Sequence, residues 1–289
     1  MLVERPVGEL RLGDHAWFPV DTGDEREQVI SAFVRDGLTA GQKIVFIGDA
    51  APGRPAGPRR RPGTTDHLGE TGQLCVVPRD EACLTRGRFD PDRLLATFDR
   101  EIAGGVGEGY RAVRLITDLS WVLGESDGAV LLPAYEDRLA AAITVSTAAM
   151  ALCQMDRRRY DNGPSAALES THQVLVSANP LFDDGTLRIR PNFTPPGLRL
   201  DGEIDPSHRD VLSRALTAAT ARNRPVHLDF TGLRFIELGA LSLLTAFGTR
   251  LPQGRHLILD NLQPDVEAMF SMLGWHRLPG IVRGRERSP

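Results

Sequence analysis

The sequence predicts an α/β protein of two units, a larger one built on a parallel sheet and a smaller C-terminal one. Short continuous apolar segments, typical of strands buried on both faces, alternate along the chain with amphipathic helical segments. Turn residues at Asn179–Pro180 and Asp183–Gly185 interrupt this alternation. The length of 289 residues is long for one domain and comfortable for two. We therefore predict one domain over residues 1–185 and a second over 186–289.

Composition and charge exclude several classes of protein. The chain has 34 Lys and Arg against 38 Asp and Glu, so it lacks the positive balance of a nucleic-acid-binding domain. Its 3 cysteines are too few and too scattered for a disulfide framework or a zinc site. The uncharged stretch Leu139–Cys153 is shorter than the ~20 residues that span a bilayer, and the first ten residues lack the apolar core of a signal peptide. We expect a cytoplasmic protein without a membrane or direct nucleic-acid partner.

The first unit is predicted to alternate strands and helices. Asp24–Arg35 carries apolar residues at helical spacing, with Gly37 expected to end the helix. Pro91 suits the first turn of another helix. The Pro-, Gly- and Arg-rich segment Asp49–Thr65 is predicted as a loop. The apolar strand segments are His15–Val20, Lys43–Gly48, Gln73–Val77, Val113–Thr117 and Ala148–Met155, and the other helices are Asp90–Val106, Ala129–Ile143 and Ser165–Val176.

The second unit repeats the alternation on a smaller scale. Pro191, Pro195 and Pro196 are expected to interrupt the region before its first strand. The polar tail after Gly280 is expected to be frayed. The predicted strands are Gly197–Gly202, Val226–Phe230 and His256–Asp260, and the predicted helices are Pro206–Arg222, Leu238–Leu251 and Pro264–Leu273.

An ordered set of segments in this unit resembles a known module. GLRLDGEID at Gly197–Asp205 is followed by a helix, by VHLDFTGLRFIELGALSLL, by HLILDN and by a helix that ends in LGW. The order resembles the STAS domain of bacterial anti-sigma factor antagonists, over Thr186–Pro279. The resemblance implies that the unit binds a regulatory protein, either an anti-sigma factor of the serine-kinase type or another STAS protein, with a role in transcription regulation.

The phosphorylation site of that family lies between the third strand and the following helix. Here the segment is Phe235–Leu241, with Glu237 at the acidic position and Leu238 in place of the acceptor serine. Leucine has no oxygen to phosphorylate, so the usual switch is predicted to be absent. Two orientations stay open for Leu238, an exposed docking residue or a core residue. Candidate partner-binding residues are Asp205, which is also a candidate helix cap, Asp229, Glu237, Leu238, Gly239 and Ser242.

Scattered segments of the first unit resemble a second family. They are His15–Phe18, Asp36–Lys43, Thr117–Trp121, Tyr135–Glu136, Ala151–Asp156, the predicted helix with His172, and Asn179–Phe182. Their order and spacing resemble the MEDS domain, a sensory domain first associated with methylotroph and methanogen regulators, over Gly13–Asp184. The family commonly begins with H-x-C-x-[FY]-Y, and Trp17 replaces the cysteine here. The resemblance implies a domain that binds a small molecule or a partner.

The MEDS family is related to RecA/KaiC-like ATPases, which implies a RecA-like sheet and a phosphate loop. Gly48–Pro55 keeps both glycines of G-x-x-x-x-G-K-[ST], but Arg54 and Pro55 replace the Lys and the Ser/Thr. The hydroxyl that would bind Mg²⁺ is therefore missing, and the loop is degenerate. Asp118 follows a strand where a Walker-B acid would lie. We expect no enzymatic activity.

The predicted function is non-enzymatic signalling by a sensory domain coupled to a STAS domain. A nucleotide-binding or ATP-hydrolysing RecA/KaiC-like protein and a structural scaffold in a STAS assembly are the alternatives, and homo-oligomerisation stays open. His15 and His172 are interpreted as structural histidines, not metal ligands, and no metal or cofactor is predicted. Candidate ligand-binding residues of the first unit are His15, Trp17, Gly48, Gly53, Arg54, Asp118, Trp121, Glu136, Cys153 and His172.

Overall fold

The computed structural model describes residues 2–48, 66–68, 72–144, 147–157, 167–221 and 224–285, with the backbone alone for 66–68. The predicted loop Asp49–Thr65, with Gly53, Arg54 and Pro55, lies outside these residues. The chain forms two compact units, unit 1 (Met1–Ala178) and unit 2 (Asn179–Pro289).

Unit 1 is built on a sheet of eight strands in the part of the chain that the structure describes. Its strands, with the two of a small hairpin (β6 and β7), are β1 (Val3–Pro6), β2 (His15–Val20), β3 (Lys43–Ile47), β4 (Asp66–Leu68), β5 (Leu74–Val77), β6 (Leu84–Thr85), β7 (Arg88–Phe89), β8 (Val113–Asp118), β9 (Ala149–Asp156) and β10 (Val174–Ser177). The sheet order is β1-β10-β2-β9-β8-β3-β5-β4. Neighbours run parallel except β4, which is antiparallel to β5. The predicted parallel sheet is confirmed.

Helices connect these strands, and their first residues explain where they begin. Among the described helices are α1 (Gly23–Thr39), α2 (Arg79–Ala82), α3 (Pro91–Gly107) and α4 (Gly128–Ala142). The Thr22 side chain accepts a hydrogen bond from the Glu25 amide at the start of α1. Asp90 accepts one from the Arg93 amide at the start of α3, with Pro91 in its first turn.

The predicted helix end at Gly37 is wrong, because α1 continues to Thr39. Gly37 lies inside the helix at a close approach, where an added Cβ would come within 2.3 Å of the Ile44 side chain. The turn after the helix is made by Gly41, whose φ is +65°. Gly37 therefore allows the close packing of α1 against Ile44, and Gly41 allows the turn that follows the helix.

The predicted helix Ser165–Val176 is also wrong in its second half. Residues 167–170 are helical, but Val174–Ser177 forms β10, parallel to β1 on one side and β2 on the other. Val174 and Val176 are buried while Leu175 and Ser177 are not fully buried, which is the period of a strand. The apolar run Val174–Ser177 contains too few residues to distinguish the period of a helix from that of a strand.

Unit 2 contains a mixed sheet and three α-helices within its described residues. Its elements are β11 (Phe182–Asp183), β12 (Leu187–Phe193), β13 (Pro196–Ile204), α5 (Arg209–Thr220), β14 (Val226–Asp229), β15 (Leu233–Ile236), α6 (Leu238–Thr249), β16 (Leu257–Asp260), α7 (Pro264–Met272) and β17 (Ile281–Arg283). The order is β11-β12-β13-β14-β16-β17, with β15 also paired to β13. The β11–β12 and β12–β13 pairs are antiparallel, and the others are parallel.

Three predictions for unit 2 need correction. Pro191 lies within β12 and Pro196 begins β13, so these two prolines do not interrupt the sheet, whereas Pro195 lies in the turn between the two strands. The predicted helix at Pro206 begins as a 3-10 turn, Pro206–His208, ahead of α5. The tail after Gly280 is not frayed at its start, because β17 pairs in parallel with β16. Each unit has its own apolar core, and the predicted α/β class is confirmed.

Candidate functional site

Four buried side chains of unit 1 converge on one point, and we call them the buried quartet: His15, Glu136, Cys153 and His172. Their potential ligand atoms all lie within 4.8 Å of one another. His15 begins β2, and Cys153 lies on the neighbouring β9. Glu136 projects from α4, and His172 lies between the helical residues 167–170 and β10. The fold therefore joins residues that are far apart in the chain, since His15 and Cys153 alone are separated by 138 positions.

The Oε2 atom of Glu136 is the common neighbour within the quartet. It lies 2.9 Å from His15 Nε2, 3.5 Å from Cys153 Sγ and 3.6 Å from His172 Nε2. Cys153 Sγ is also 3.4 Å from His15 Nε2. The side chains of His15 and Glu136 are each only 2% exposed, so the quartet is closed to solvent.

Aromatic rings enclose one side of the quartet. The imidazole rings of His15 and His172 are stacked, with their centroids 4.0 Å apart. The indole of Trp17 lies 5.0 Å from the His172 ring, centroid to centroid, and is fully buried. The residue that replaces the family's cysteine thus forms a wall of the quartet.

Hydrogen bonds and burial determine the protonation of His172 and Cys153. The Nδ1 atom of His172 lies 2.7 Å from the carbonyl oxygen of Leu168, which can only accept, so we assign the proton to Nδ1 and a lone pair to Nε2. Burial, and then the neighbouring His15, lower the pKa of His172 to about 4. Burial, and then Glu136, raise the pKa of the Cys153 thiol well above its usual value. At neutral pH both side chains are uncharged.

The quartet supplies two imidazole nitrogens, a carboxylate and a sulfur. This combination of donors suits a borderline-soft divalent cation such as Zn²⁺. Thr171 and Leu168, which contact Nδ1 of His172, were not among the predicted site residues. Nothing in the sequence marks a backbone carbonyl as the group that orients a histidine.

The other predicted residues of unit 1 have separate partners or lie outside the described residues. The Asp118 carboxylate accepts hydrogen bonds from the amide and hydroxyl of Ser120, at 3.2 and 2.7 Å. Trp121 packs edge-on against Phe89, and the Arg79 guanidinium lies 5.2 Å from its ring centroid. Gly48 follows β3 and is buried. The predicted Gly53 and Arg54 lie outside the described residues.

A second candidate site lies at the start of α6 in unit 2. We define the α6 N-terminal surface as Phe235, Glu237, Leu238 and Ser242 with Arg209. Phe235 and Leu238 are 52% and 55% exposed, so the open question about Leu238 is answered in favour of an exposed residue. The Ser242 hydroxyl is exposed and donates to the Leu238 carbonyl at 2.9 Å.

An ion pair borders this apolar surface. The Arg209 Nε donates to Glu237 Oε1 at 2.6 Å. The guanidinium then lies over Gly239, where an added Cβ would come within 1.7 Å of Arg209 Nη2. Thr245, one turn further along α6, is 6% exposed and donates to the Ser242 carbonyl. The predicted Glu237, Leu238, Gly239 and Ser242 are therefore neighbours, and Thr245 faces inward.

Family comparisons assign both units. Residues 14–173 match the MEDS domain, described as the methanogen/methylotroph, DcmR sensory domain. The chain belongs to the MEDS family. Residues 187–283 match the model described as the Mlab, STAS domain. Both predicted resemblances are confirmed, and the pair of domains is that of a sensory and regulatory protein.

Comparisons with individual proteins add little to the family assignment. No curated protein sequence matches the chain. A solved KaiC-like protein, PH0186 from the hyperthermophilic archaeon Pyrococcus horikoshii OT3, is 12% identical, with 62% of this chain and 79% of that chain covered and a TM-score of 0.37. Among the described helices, none is long and apolar enough to cross a membrane.

Two predicted residues of the STAS domain have local structural partners. Asp205 caps the turn at Pro206, where its side chain accepts from the Ser207 amide and hydroxyl at 2.8 and 2.6 Å. Asp229 accepts from the Thr231 amide and hydroxyl and from the Asn261 side-chain amide. These contacts agree with the capping interpretation of Asp205, and both carboxylates stabilise loops at the ends of strands.

Proposed function

We propose that this protein is a non-enzymatic cytoplasmic signalling protein whose MEDS domain senses a ligand and whose STAS domain binds a regulatory protein. The partner is an anti-sigma factor of the serine-kinase type or another STAS protein. The observation that carries the proposal is the exposed apolar pair Phe235 and Leu238 at the start of α6. In the STAS family the same helix start carries the phosphorylated serine.

The α6 N-terminal surface has the composition expected of a small docking site. Two large apolar side chains lie beside the Arg209–Glu237 ion pair, which supplies a polar border. Full burial of a leucine stabilises a complex by roughly 1.5–3 kcal/mol. The Phe235 ring adds aromatic area, the kind of group that dominates binding at protein interfaces. A partner that covers both side chains gains apolar contact without a phosphorylation step.

Because leucine replaces the serine, phosphorylation at this position cannot change the charge of the α6 N-terminal surface. A phosphate would add about −1.5 to −2 units of charge at neutral pH, and Leu238 cannot carry it. Regulation would then come from the MEDS domain, provided that its ligand binds two states of the protein with different affinity. Ser242 is the accessible hydroxyl nearest along α6, whereas Thr245 is buried and would be exposed only if the helix opened.

Direct titration of the full chain with purified candidate partners tests the proposal. Anti-sigma factors and STAS proteins encoded by the same organism are titrated one at a time by calorimetry. Leu238→Asp should weaken binding at least about tenfold, because the complex would bury an unpaired charge. Val130→Asp is the matched control, since Val130 is 75% exposed on α4 of the MEDS domain.

Two results would overturn the proposal. One is that no anti-sigma factor or STAS protein binds the folded chain. The other is that Leu238→Asp binds its partner as tightly as the unchanged protein, which would place the contact elsewhere. Circular dichroism of each variant establishes that a loss of binding is not a loss of folding.

A further inference from the structure

We propose that the buried quartet is a closed, four-coordinate site for a divalent transition metal, with Zn²⁺ as the best-fitting ion. His15 and His172 would bind through Nε2, Cys153 through Sγ and Glu136 through Oε2. This site lies within the MEDS domain and stands whether or not the STAS domain binds the partner proposed above. No residue of the α6 N-terminal surface takes part in it.

The spacing of the donor atoms fits a tetrahedral ion. Bonds of about 2.0–2.3 Å to nitrogen, oxygen and sulfur place neighbouring donors roughly 3.3–3.8 Å apart. Three of the measured separations, 3.4, 3.5 and 3.6 Å, fall in that range. A fourth, 2.9 Å between His15 Nε2 and Glu136 Oε2, is a hydrogen-bond distance that must lengthen, and all six separations lie within 4.8 Å. Because an imidazole lone pair lies in the ring plane, metal binding also requires the stacked His15 ring to turn until its lone pair and that of His172 converge on the ion.

The contact that Nδ1 of His172 makes outside the quartet is typical of a histidine that binds a metal. Ligating histidines almost always donate their other ring N–H to a carbonyl or carboxylate, which fixes the tautomer and the ring orientation. Nδ1 of His172 makes this contact with the Leu168 carbonyl at 2.7 Å. Nε2 faces the quartet and has no hydrogen-bond partner within the described residues. A buried acceptor without a donor is rare, and a metal ion would satisfy it.

The charges of the quartet balance with a dication. A bound divalent ion requires a thiolate at Cys153 and a carboxylate at Glu136, and the two negative charges neutralise it. Without a cation, a Cys153 thiolate 3.5 Å from the Glu136 carboxylate in this buried place would be strongly disfavoured. The ion reverses that repulsion, because it attracts both anions. The contact of His172 Nδ1 with the Leu168 carbonyl leaves the Nε2 lone pair for a metal.

The closure of the site indicates a structural or sensing role. Four protein donors fill a tetrahedral ion, so no position remains for a water or a substrate. The quartet also joins β2, α4, β9 and the segment before β10, which come from distant parts of the MEDS domain. A metal would therefore stabilise the packing of α4 on the sheet.

Cobalt titration of the purified, chelator-treated full chain tests the proposal. Co²⁺ should bind with a stoichiometry of one per chain and give thiolate-to-cobalt charge-transfer and intense tetrahedral d–d absorption, and Zn²⁺ should displace it. Cys153→Ser should remove the charge-transfer band. Loss of a residue that only orients a metal ligand weakens metal affinity roughly 10–100-fold, so His172→Gln, which removes a ligand itself, should weaken Co²⁺ binding at least as much. Cys75→Ser, a change at a buried cysteine of β5 outside the quartet, should leave the charge-transfer band and the Co²⁺ affinity unchanged.

The measurement on the unchanged protein decides the outcome even if a variant fails to fold. Folded protein that binds no stoichiometric Co²⁺, or binds it without a thiolate band, overturns the proposal. A band that persists in Cys153→Ser and disappears in Cys75→Ser overturns it equally, because the sulfur ligand would then lie elsewhere. The STAS partner assay is independent of all these outcomes.

Discussion

The imidazole rings of His15 and His172 are stacked in the core of the MEDS domain, with centroids 4.0 Å apart. Two cationic imidazoles cannot share this position without strong repulsion. Burial disfavours a charge on His172 first, and the neighbouring His15 disfavours it further, which together lower its pKa from 6.5 to about 4. This shift makes the stability of the domain depend on pH.

The first prediction is a loss of stability between about pH 7 and pH 5 that depends on His172. The unfolded chain binds the proton near pH 6.5 and the folded protein near pH 4, so the unfolded state holds more protons between these values. The contribution of His172 to the free energy of unfolding is therefore fully present above the pKa of the unfolded state. It is lost as the pH falls toward the pKa of the folded state. The expected loss over this interval is about 2 kcal/mol.

Urea unfolding at the two pH values, with a chelator present, measures this effect. His172→Gln should remove the His172 contribution, so the difference between the two pH values should shrink by about 2 kcal/mol relative to the unchanged chain. His227→Gln, a change at a histidine of the STAS domain, is the control. An unchanged pH dependence in His172→Gln would show that His172 does not titrate in this range.

The second prediction concerns two adjacent glycines of α3 that face different surroundings. An added Cβ at Gly104 meets nothing within 4 Å, whereas one at Gly105 lies 2.7 Å from Val113 Cγ2 and 3.1 Å from Lys43 Cδ. Gly104→Ala should stabilise the protein by about 0.5–1 kcal/mol through helix propensity. Gly105→Ala should destabilise it by about 1 kcal/mol or more, because overpacking at β8 exceeds the gain in propensity.

Thermal unfolding of the two variants provides the comparison, with each serving as the control for the other. Opposite signs support the packing of α3 on the sheet at Gly105. Equal stabilisation of both variants would show that the helix lies further from Val113 than the structure places it.

Much of the sheet could be predicted from the sequence, because its central strands are continuous apolar runs bounded by turns. The segments Lys43–Ile47 and Val113–Asp118 are of this kind. The strand β10 was missed because a run of four residues, Val174–Ser177, lacks a decisive period, and its pairing with β1 and β2 is a tertiary contact. Local propensity cannot reveal such a pairing.

The sequence predicts the individual residues of the buried quartet, but it does not predict that they lie together. The sequence predicts all four members of the quartet as ligand-binding residues, yet it favours a structural role for the two histidines. Their approach to Glu136 depends on how α4 packs over β2, and His15 and Glu136 are separated by 121 positions. No periodicity within a segment encodes that distance. The exposure of Leu238 was likewise undecided, because residues at a helix start can face either way.

The third prediction is that Mg-ATP turnover by the purified chain does not exceed background. Pro55 removes the Mg²⁺-binding hydroxyl of a phosphate loop, and the carboxylate of Asp118 is held by two hydrogen bonds from Ser120. Phosphate release measured with and without the protein checks the rate. Steady hydrolysis that is lost in Asp118→Asn would contradict this prediction and favour the nucleotide-dependent alternative.

The last prediction is that a fragment of residues 179–289 folds alone and is more stable than one of residues 187–289. The longer fragment contains a complete compact unit with its own apolar core. It also keeps Asp184, whose carboxylate lies 2.9 Å from Nε2 of the buried His208 and accepts hydrogen bonds from the amides of Thr186 and Leu187. Phe182, edge-on to the His208 ring, is retained as well.

Removal of residues 179–186 should leave His208 Nε2 without its carboxylate partner. A buried polar group that loses its partner destabilises a fold by about 1–3 kcal/mol, so the shorter fragment should unfold at a lower urea concentration. Far-UV circular dichroism gives the two midpoints, and Asp184→Ala in the longer fragment isolates the contribution of the carboxylate. Equal midpoints would show that Asp184 does not stabilise His208, and an unfolded longer fragment would show that the STAS domain requires the rest of the chain.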